Sequence, residues 1–145
     1  MARIKINLPK SFPFSTDIKV RITDLNYGGH VGNDSILSII HEARIQYLIS
    51  IGFEHEGKGP GGIGIIMTDA AIIYSGEIFY GESLNIKIAA IDIETYSFDL
   101  VYKITNLATD KIVVKAKTNI LCFDYGTRKR IEIPFELMKF INPSI

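Results

Sequence analysis

The chain has 145 residues, 47% of them hydrophobic, with 16 basic side chains balancing 16 acidic ones and a single cysteine. That length suits one compact domain, residues 1–145, able to bury roughly 68–70% of the surface its unfolded form exposes. The balance excludes disorder, collagen-like sequence and whole-chain coiled coil, and zero net charge leaves no global field to draw in nucleic acid or an anionic membrane.

Cys122 alone permits no internal disulfide and no multi-cysteine zinc site. A cytoplasmic location is the expectation. The N-terminal stretch Met1 to Pro9 lacks the apolar run of a secretory signal. The longest uncharged apolar stretches, near Ile36–Ile40 and Ile63–Met67, fall short of the ~18 residues of a membrane span.

In chain order, Phe14–Ile22 reads as a strand with Ile18, Val20 and Ile22 on one face. A polar, glycine-bearing loop runs from Thr23 to Gly32. Asn33 or Asp34 then offers an N-cap oxygen to a helix from Ser35 to Ile51, stopped by Gly52. Ile36, Ile40, Ala43 and Tyr47 line one helix face, while Leu37, Ile39, Leu48, Ile49 and Ile51 spread round the rest, the pattern of a buried helix.

Beyond the glycine-rich loop Glu54–Gly62, strands are predicted near Ile63–Tyr74, Ile78–Tyr80, Leu84–Glu94, Ser97–Leu107 and Lys111–Asp124. Their period-two alternation and short links predict an antiparallel meander. Phe135, Leu137, Met138 and Ile141 follow Pro134 at helical spacing. One long buried helix and one curled antiparallel sheet make an α+β architecture, with the sheet wrapped round the helix. Exposed sheet edges also invite pairing with a second copy.

The densest polar cluster is Asp24-Leu25-Asn26-Tyr27-Gly28-Gly29-His30-Val31-Gly32-Asn33-Asp34. It stands directly before a helix start, where unpaired amides and the helix dipole favour negative charge. An oxyanion could be held there, with Asp24 attacking a carbonyl carbon or activating water. The residues alone leave a second reading open, in which Asp24 and Asn33 are turn and cap residues and His30 a surface side chain.

The pattern Asp-x-(Asp/Asn)-x-x-Gly-His-Val-x-Asn, followed by a helix carrying Glu-Ala-Arg, resembles the hotdog-fold thioesterases, in particular the 4-hydroxybenzoyl-CoA thioesterase-like and acyl-CoA thioester hydrolase group. The matching residues are Asp24, Asn26, Gly29, His30, Val31 and Asn33, then Glu42, Ala43 and Arg44. The stretch Gly76 to Leu84 and Pro134 extend the likeness over about residues 14–141.

The resemblance implies the hotdog fold and hydrolysis of an acyl-CoA or acyl-carrier thioester without a further cofactor, coenzyme A being part of the substrate. It implies Asp24 as nucleophile or general base, amides around Val31 to Asp34 as carbonyl donors, and Asn26, Gly29, His30, Val31 and Asn33 as residues that hold substrate or water. Glu42 matches an acidic position of the family. An ion pair within the helix or between chains, for instance with a neighbouring arginine, stands beside that reading. The resemblance also implies a homodimer or homotetramer with sites between subunits. Gly32, Ile36 and Asn26 depart from residues common in the family. Two other functions stay open, an acyl-CoA hydratase or dehydratase of the same architecture and a non-catalytic acyl-thioester binding module.

Other signals are weaker. Gly52 to Gly59 imitates a phosphate-binding loop, but it follows a helix and has Gly59 where a Ser or Thr would hold magnesium. Gly57–Gly62 reads instead as a flexible lip over a pocket or a long turn. His30, His41 and His55 lack the spacing of a zinc site. Arg128, Lys129 and Arg130 form the densest basic run. They are either solvated charge or, in a thioesterase, a contact for the phosphates of coenzyme A.

Overall fold

The computed structural model describes residues 3–142; of the N-terminal stretch read above, Met1 and Ala2 lie outside the described residues. The chain builds β1 (Phe14–Lys19), a 3-10 turn (Ile22–Asp24), α1 (Asn33–Ser50), a second 3-10 turn (Pro60–Gly62), β2 (Gly64–Tyr74), β3 (Ser83–Ile91), β4 (Ser97–Asn106), β5 (Lys111–Asp124), β6 (Lys129–Arg130) and α2 (Phe135–Ile141). The main sheet has the order β1-β3-β4-β5-β2, with β6 paired to β5 and every pairing antiparallel.

Alternation places the core. Leu84, Ile86 and Ile88 of β3, Phe98, Leu100, Tyr102 and Ile104 of β4, and Val114, Ala116, Ile120 and Cys122 of β5 are all buried on one curled face. Register sets Ile86 beside Ile104 and Tyr102 beside Ala116, so the apolar side chains of neighbouring strands meet on that face. Against it lies α1, 18 residues and about 27 Å long, with Ile36, Ile40, Ala43 and Tyr47 inside the same cluster. The helix inside a curled antiparallel sheet is the predicted hotdog architecture.

Three expectations change. β2 does not sit beside β3; it crosses to the far side of β5, so β1 and β2 are the two edges and only β3-β4-β5 is a meander. Residues 78–80 form no strand, because Ile78 turns inward and only an isolated bridge joins His30 to Phe79. β1 ends at Lys19, and the turn after it rotates Ile22 outward to 66% exposure.

The α1 start also differs. Its N-cap is Gly32, with no side-chain cap bond, instead of Asn33 or Asp34. The helix is less enclosed than its composition implies, since Leu37 and Ile49 are exposed. The loop at 54–62 is a turn: the Glu54 N–H donates to the Lys58 carbonyl, and Lys58 Nζ lies 3.3 Å from a Glu54 oxygen. Gly59 is required there because a Cβ would stand 2.3 Å from the Phe53 ring.

Arg44 is the one charged α1 side chain in the interior. It points Nη1 at the Tyr102 hydroxyl (3.4 Å), which shares a 2.7 Å bond with the Thr118 hydroxyl. Burial pushes the Cys122 thiol up to about 12 from 9.0 and raises the Tyr47 and Tyr102 phenols above their ordinary range.

Two outcomes follow. Ile40 is fully buried, so Ile40→Ala should cost about 2–5 kcal/mol in urea unfolding. The raised thiol and phenols favour the proton-bound folded state, so their contribution is complete below the unfolded pKa values. It is lost as the unfolded chain deprotonates first; unfolding free energy should fall steadily from about pH 9 to about 12, whereas a flat alkaline profile would contradict it.

Candidate functional site

The loop between β1 and α1 is folded by its own backbone. Asp24 N–H donates to the Arg21 carbonyl, Asn26 N–H to the His30 carbonyl, and Gly32 N–H to the Asp24 carbonyl. Gly29, with φ of 85°, makes the reversal that an L side chain would strain. From the neighbouring segment, Val31 N–H donates to the Ile78 carbonyl at 2.8 Å. These bonds bring residues 76–78 alongside the start of α1.

Between them opens a cleft of about 490 Å³, lined by Asn26, His30, Val31 and Asn33, and by Ile36, Tyr74, Gly76, Glu77, Ile78 and Val114. Its size is that of a small-molecule site. Four of the predicted substrate residues therefore meet in one place. Glu77, Tyr74 and the apolar wall of Ile36, Ile78 and Val114 complete it. From the sequence Glu77 falls in the link between the strands predicted near 63–74 and 78–80; the Val31–Ile78 bond, a contact between distant segments, brings it to the cleft.

Each polar group has a definable role. Asn26 Oδ1 accepts from Gly28 N–H at 2.8 Å, which leaves its amide hydrogens free. His30 Nδ1 lies 3.3 Å from the Val31 carbonyl oxygen, and its ring stands edge-on to Phe79. A carbonyl only accepts, so Nδ1 carries the proton of this contact and Nε2 is the free ring nitrogen of neutral His30. Tyr74 hydroxyl donates to the Asn33 carbonyl at 2.9 Å, fixing the helix start to the end of β2.

Ser35 and Ile36 N–H already bond the Gly32 carbonyl. The Asn33 and Asp34 amides have no partner among the described residues and carry the positive end of the helix dipole. Gly32 lets this turn close: a Cβ there would stand 2.5 Å from Asp34 Oδ1 and 3.2 Å from the Asn26 Cβ.

Asp24 and Glu42 lie elsewhere. They line a separate hollow of about 270 Å³ together with Arg21, Ser38 and Gln46. The Asp24 side chain is 5% exposed. Its Oδ2 accepts the Arg21 N–H at 2.8 Å and its Oδ1 lies 3.3 Å from the Arg21 guanidinium, so it caps the 3-10 turn. Glu42 accepts from Gln46 Nε2 at 2.8 Å, one helical turn on, and from no arginine among the described residues.

The basic run also stands apart. Phe123 pairs with Gly64 and Val114 with Tyr74, so Arg128 to Arg130 and the cleft sit at opposite ends of β2, roughly 30 Å apart along the strand. None of residues 57–62 lines the cleft, so that loop is no lip over it. Among the described residues no group of three or more His, Cys, Asp or Glu side chains could hold a metal ion, and no helix is long and apolar enough to cross a membrane.

Asp24→Ala should lower unfolding free energy by about 0.5–2 kcal/mol, the cost of a lost cap, as read by urea titration; an unchanged midpoint would deny Asp24 its capping role.

The chain is 26% identical over 131 residues to a 1,4-dihydroxy-2-naphthoyl-CoA hydrolase of Nostoc punctiforme, covering 89% of this chain and 86% of that protein. The fold is similar to that of a 1,4-dihydroxy-2-naphthoyl-CoA thioesterase from Synechocystis, with a TM-score of 0.71, 20% identity and coverage of 88% and 94%. It is also similar to that of a Thermus thermophilus thioesterase complexed with coenzyme A and Zn, with a TM-score of 0.79, 20% identity and coverage of 91% and 99%. The sequence profile of the Thioesterase-like superfamily matches residues 20–141, and the chain belongs to that superfamily.

Proposed function

We propose that the protein hydrolyses acyl-CoA thioesters in the cleft at the start of α1, and that its preferred acyl group is aromatic. The observation that carries this reading is the meeting of Asn33, whose amide is unpartnered at the helix start, with Glu77 at one partly apolar cleft. Ile36, Ile78, Val114 and the Tyr74 ring offer flat and branched surface to an aryl group. The curated relatives that act on 1,4-dihydroxy-2-naphthoyl-CoA support the same class.

The thioester carbonyl oxygen points at the Asn33 and Asp34 amides, with Asn26 Nδ2 as a further donor. Negative charge growing on that oxygen meets fixed dipoles that need no reorganisation. Glu77 takes a proton from water as the oxygen attacks the carbonyl carbon, and His30 Nε2 orients that water. The tetrahedral centre collapses, the carbon–sulfur bond breaks, and the proton passes from Glu77 to the leaving thiolate. Free acid and coenzyme A result. Asp24 acts by shaping the loop that carries Asn26 and His30.

The residues make one domain, active as a homo-oligomer in the cytoplasm. β2 is an open sheet edge with Met67 and Tyr74 exposed along it, which favours a second copy alongside. The joint presence of His30 and Glu77 also favours one alternative, proton transfer in hydration of an enoyl-CoA.

Thiol release from a panel of aryl- and alkyl-CoA esters tests the reading. Glu77→Gln should lower kcat at least about a hundredfold, the loss expected of a general base, while Asp24→Asn stays within a few-fold of the parent. The opposite ranking would return the base to Asp24. Hydration of an enoyl-CoA without any thiol release would replace hydrolysis by the alternative.

A further inference from the structure

The cleft uses the first turn of α1, and a second hollow lies toward the other end of that helix. Tyr47 stands roughly 16 Å along the axis from Ile36. It lines a hollow of about 370 Å³ with Phe12 and Pro13 of the segment before β1, Ala90 of β3, and Phe140 and Ile141 of α2. That volume falls in the range of small-molecule sites, and none of the described residues lining it carries a charge. The sheet edge is open here. β1 begins at Phe14, opposite Ile88, so among the described residues Ala89 to Ile91 have a strand partner on the β4 side only. Pro13 has no N–H with which to extend the ladder. Tyr47 is 2% exposed and its hydroxyl has no hydrogen-bond partner among the described residues, whereas the buried Tyr102 hydroxyl bonds that of Thr118.

Cations stand over the aromatic walls. Lys103 Nζ lies 5.4 Å from the Phe12 ring centroid and Lys139 Nζ 5.5 Å from the Phe140 ring centroid. Neither ammonium has an ion-pair partner among the described residues. Glu136, the acid of α2, lies beside Gly61 instead. Register sets Lys103 directly between Lys87 and Lys115, a row of like charge that weakens the sheet. Lys117, by contrast, is held by Asp69 at 2.9 Å and Asp99 at 3.7 Å. We propose that this hollow binds a carboxylic acid with an apolar body, the alkyl or aryl part lying between the Phe12 and Phe140 rings and the carboxylate facing the Lys103 and Lys139 ammonium groups. The walls shield the body from water. The head brings negative charge to a rim that has cations and no neutralising acid, and it relieves the repulsion along the lysine row. The unbonded Tyr47 hydroxyl offers a further donor to the acid. The choice of a carboxylate over other anions rests on the hydrolase reading above, because a free acid is what thioester cleavage releases.

Titration of decanoate and of 2-naphthoate into isotope-labelled protein, followed by NMR, tests this, with decan-1-ol as the uncharged counterpart. At least one acid should shift the Ala89, Ala90 and Ile141 amides saturably; shifts from both acids confined to the cleft residues Asn33 and Glu77 overturn the proposal. Lys103→Gln/Lys139→Gln, two changes at the rim, should weaken binding of the acid at the hollow by about fivefold or more and leave decan-1-ol within about twofold; equal affinity of the acid for parent and double variant overturns it. Phe140→Ala removes a wall and should weaken the acid and decan-1-ol alike by about threefold or more; unchanged affinity for both overturns it. Capture of the protein by phosphatidylglycerol vesicles, with no saturable shift from either dispersed acid, would assign the lysines to an anionic membrane and overturn it as well. Thiol release decides the hydrolase reading separately. A parent that cleaves no ester yet binds an acid at the hollow removes that reading alone, and one that cleaves esters while neither acid shifts Ala89 or Ala90 removes this proposal alone.

Discussion

The start of α1 is the fixed point of this structure. The helix cannot slide, because Ile36, Ile40, Ala43 and Tyr47 are locked into the curled face of the sheet. Its first turn is held by Gly32 N–H on the Asp24 carbonyl, Val31 N–H on the Ile78 carbonyl, and the Tyr74 hydroxyl on the Asn33 carbonyl. Those three bonds come from the preceding loop, the β2–β3 connection and the end of β2. Together they place Asn33, with its unpartnered amide, at a cleft whose walls are set by the same segments. Packing fixes the axis of the dipole, and the tethers fix what stands in front of it.

That arrangement explains why the site needs little exotic chemistry. A growing oxyanion needs donors that are in place before it forms, and the proposed mechanism draws them from the helix start. On the proposed reading, the apolar wall of Ile36, Ile78 and Val114 would keep water sparse around an acyl group and so strengthen the same dipoles. The carboxylate that meets the cleft, Glu77, comes from the connection that crosses from one sheet edge toward the interior. The connection that follows the crossed-over strand is what places residues 76–78 beside the start of α1.

Much of this was legible in the residues. Period-two alternation marked β3, β4 and β5, and the spacing of Ile36, Ile40, Ala43 and Tyr47 marked the buried helix. The loop motif led to the cleft through Asn26, His30, Val31 and Asn33. Strand order was not legible, because alternation says which side of a strand is buried and nothing about its neighbour. Nor does a motif say which way a carboxylate turns. The 3-10 turn at Ile22–Asp24 rolls Asp24 inward to bond Arg21, while Asn26, two residues on, faces the opening. Glu77 lies more than forty residues beyond the loop it joins, too far for local spacing to reveal.

The most direct measurement is amide chemical shift. A non-hydrolysable aryl ketone or thioether analogue of the acyl-CoA is titrated into isotope-labelled protein while the backbone amides are followed by NMR. With the ketone, the account predicts that the Asn33 and Asp34 amides move most and downfield, saturating together with the cleft residues Glu77 and Ile78. Shifts confined to the hollow around Asp24 and Glu42, with Asn33 and Asp34 unmoved at saturation, would contradict it.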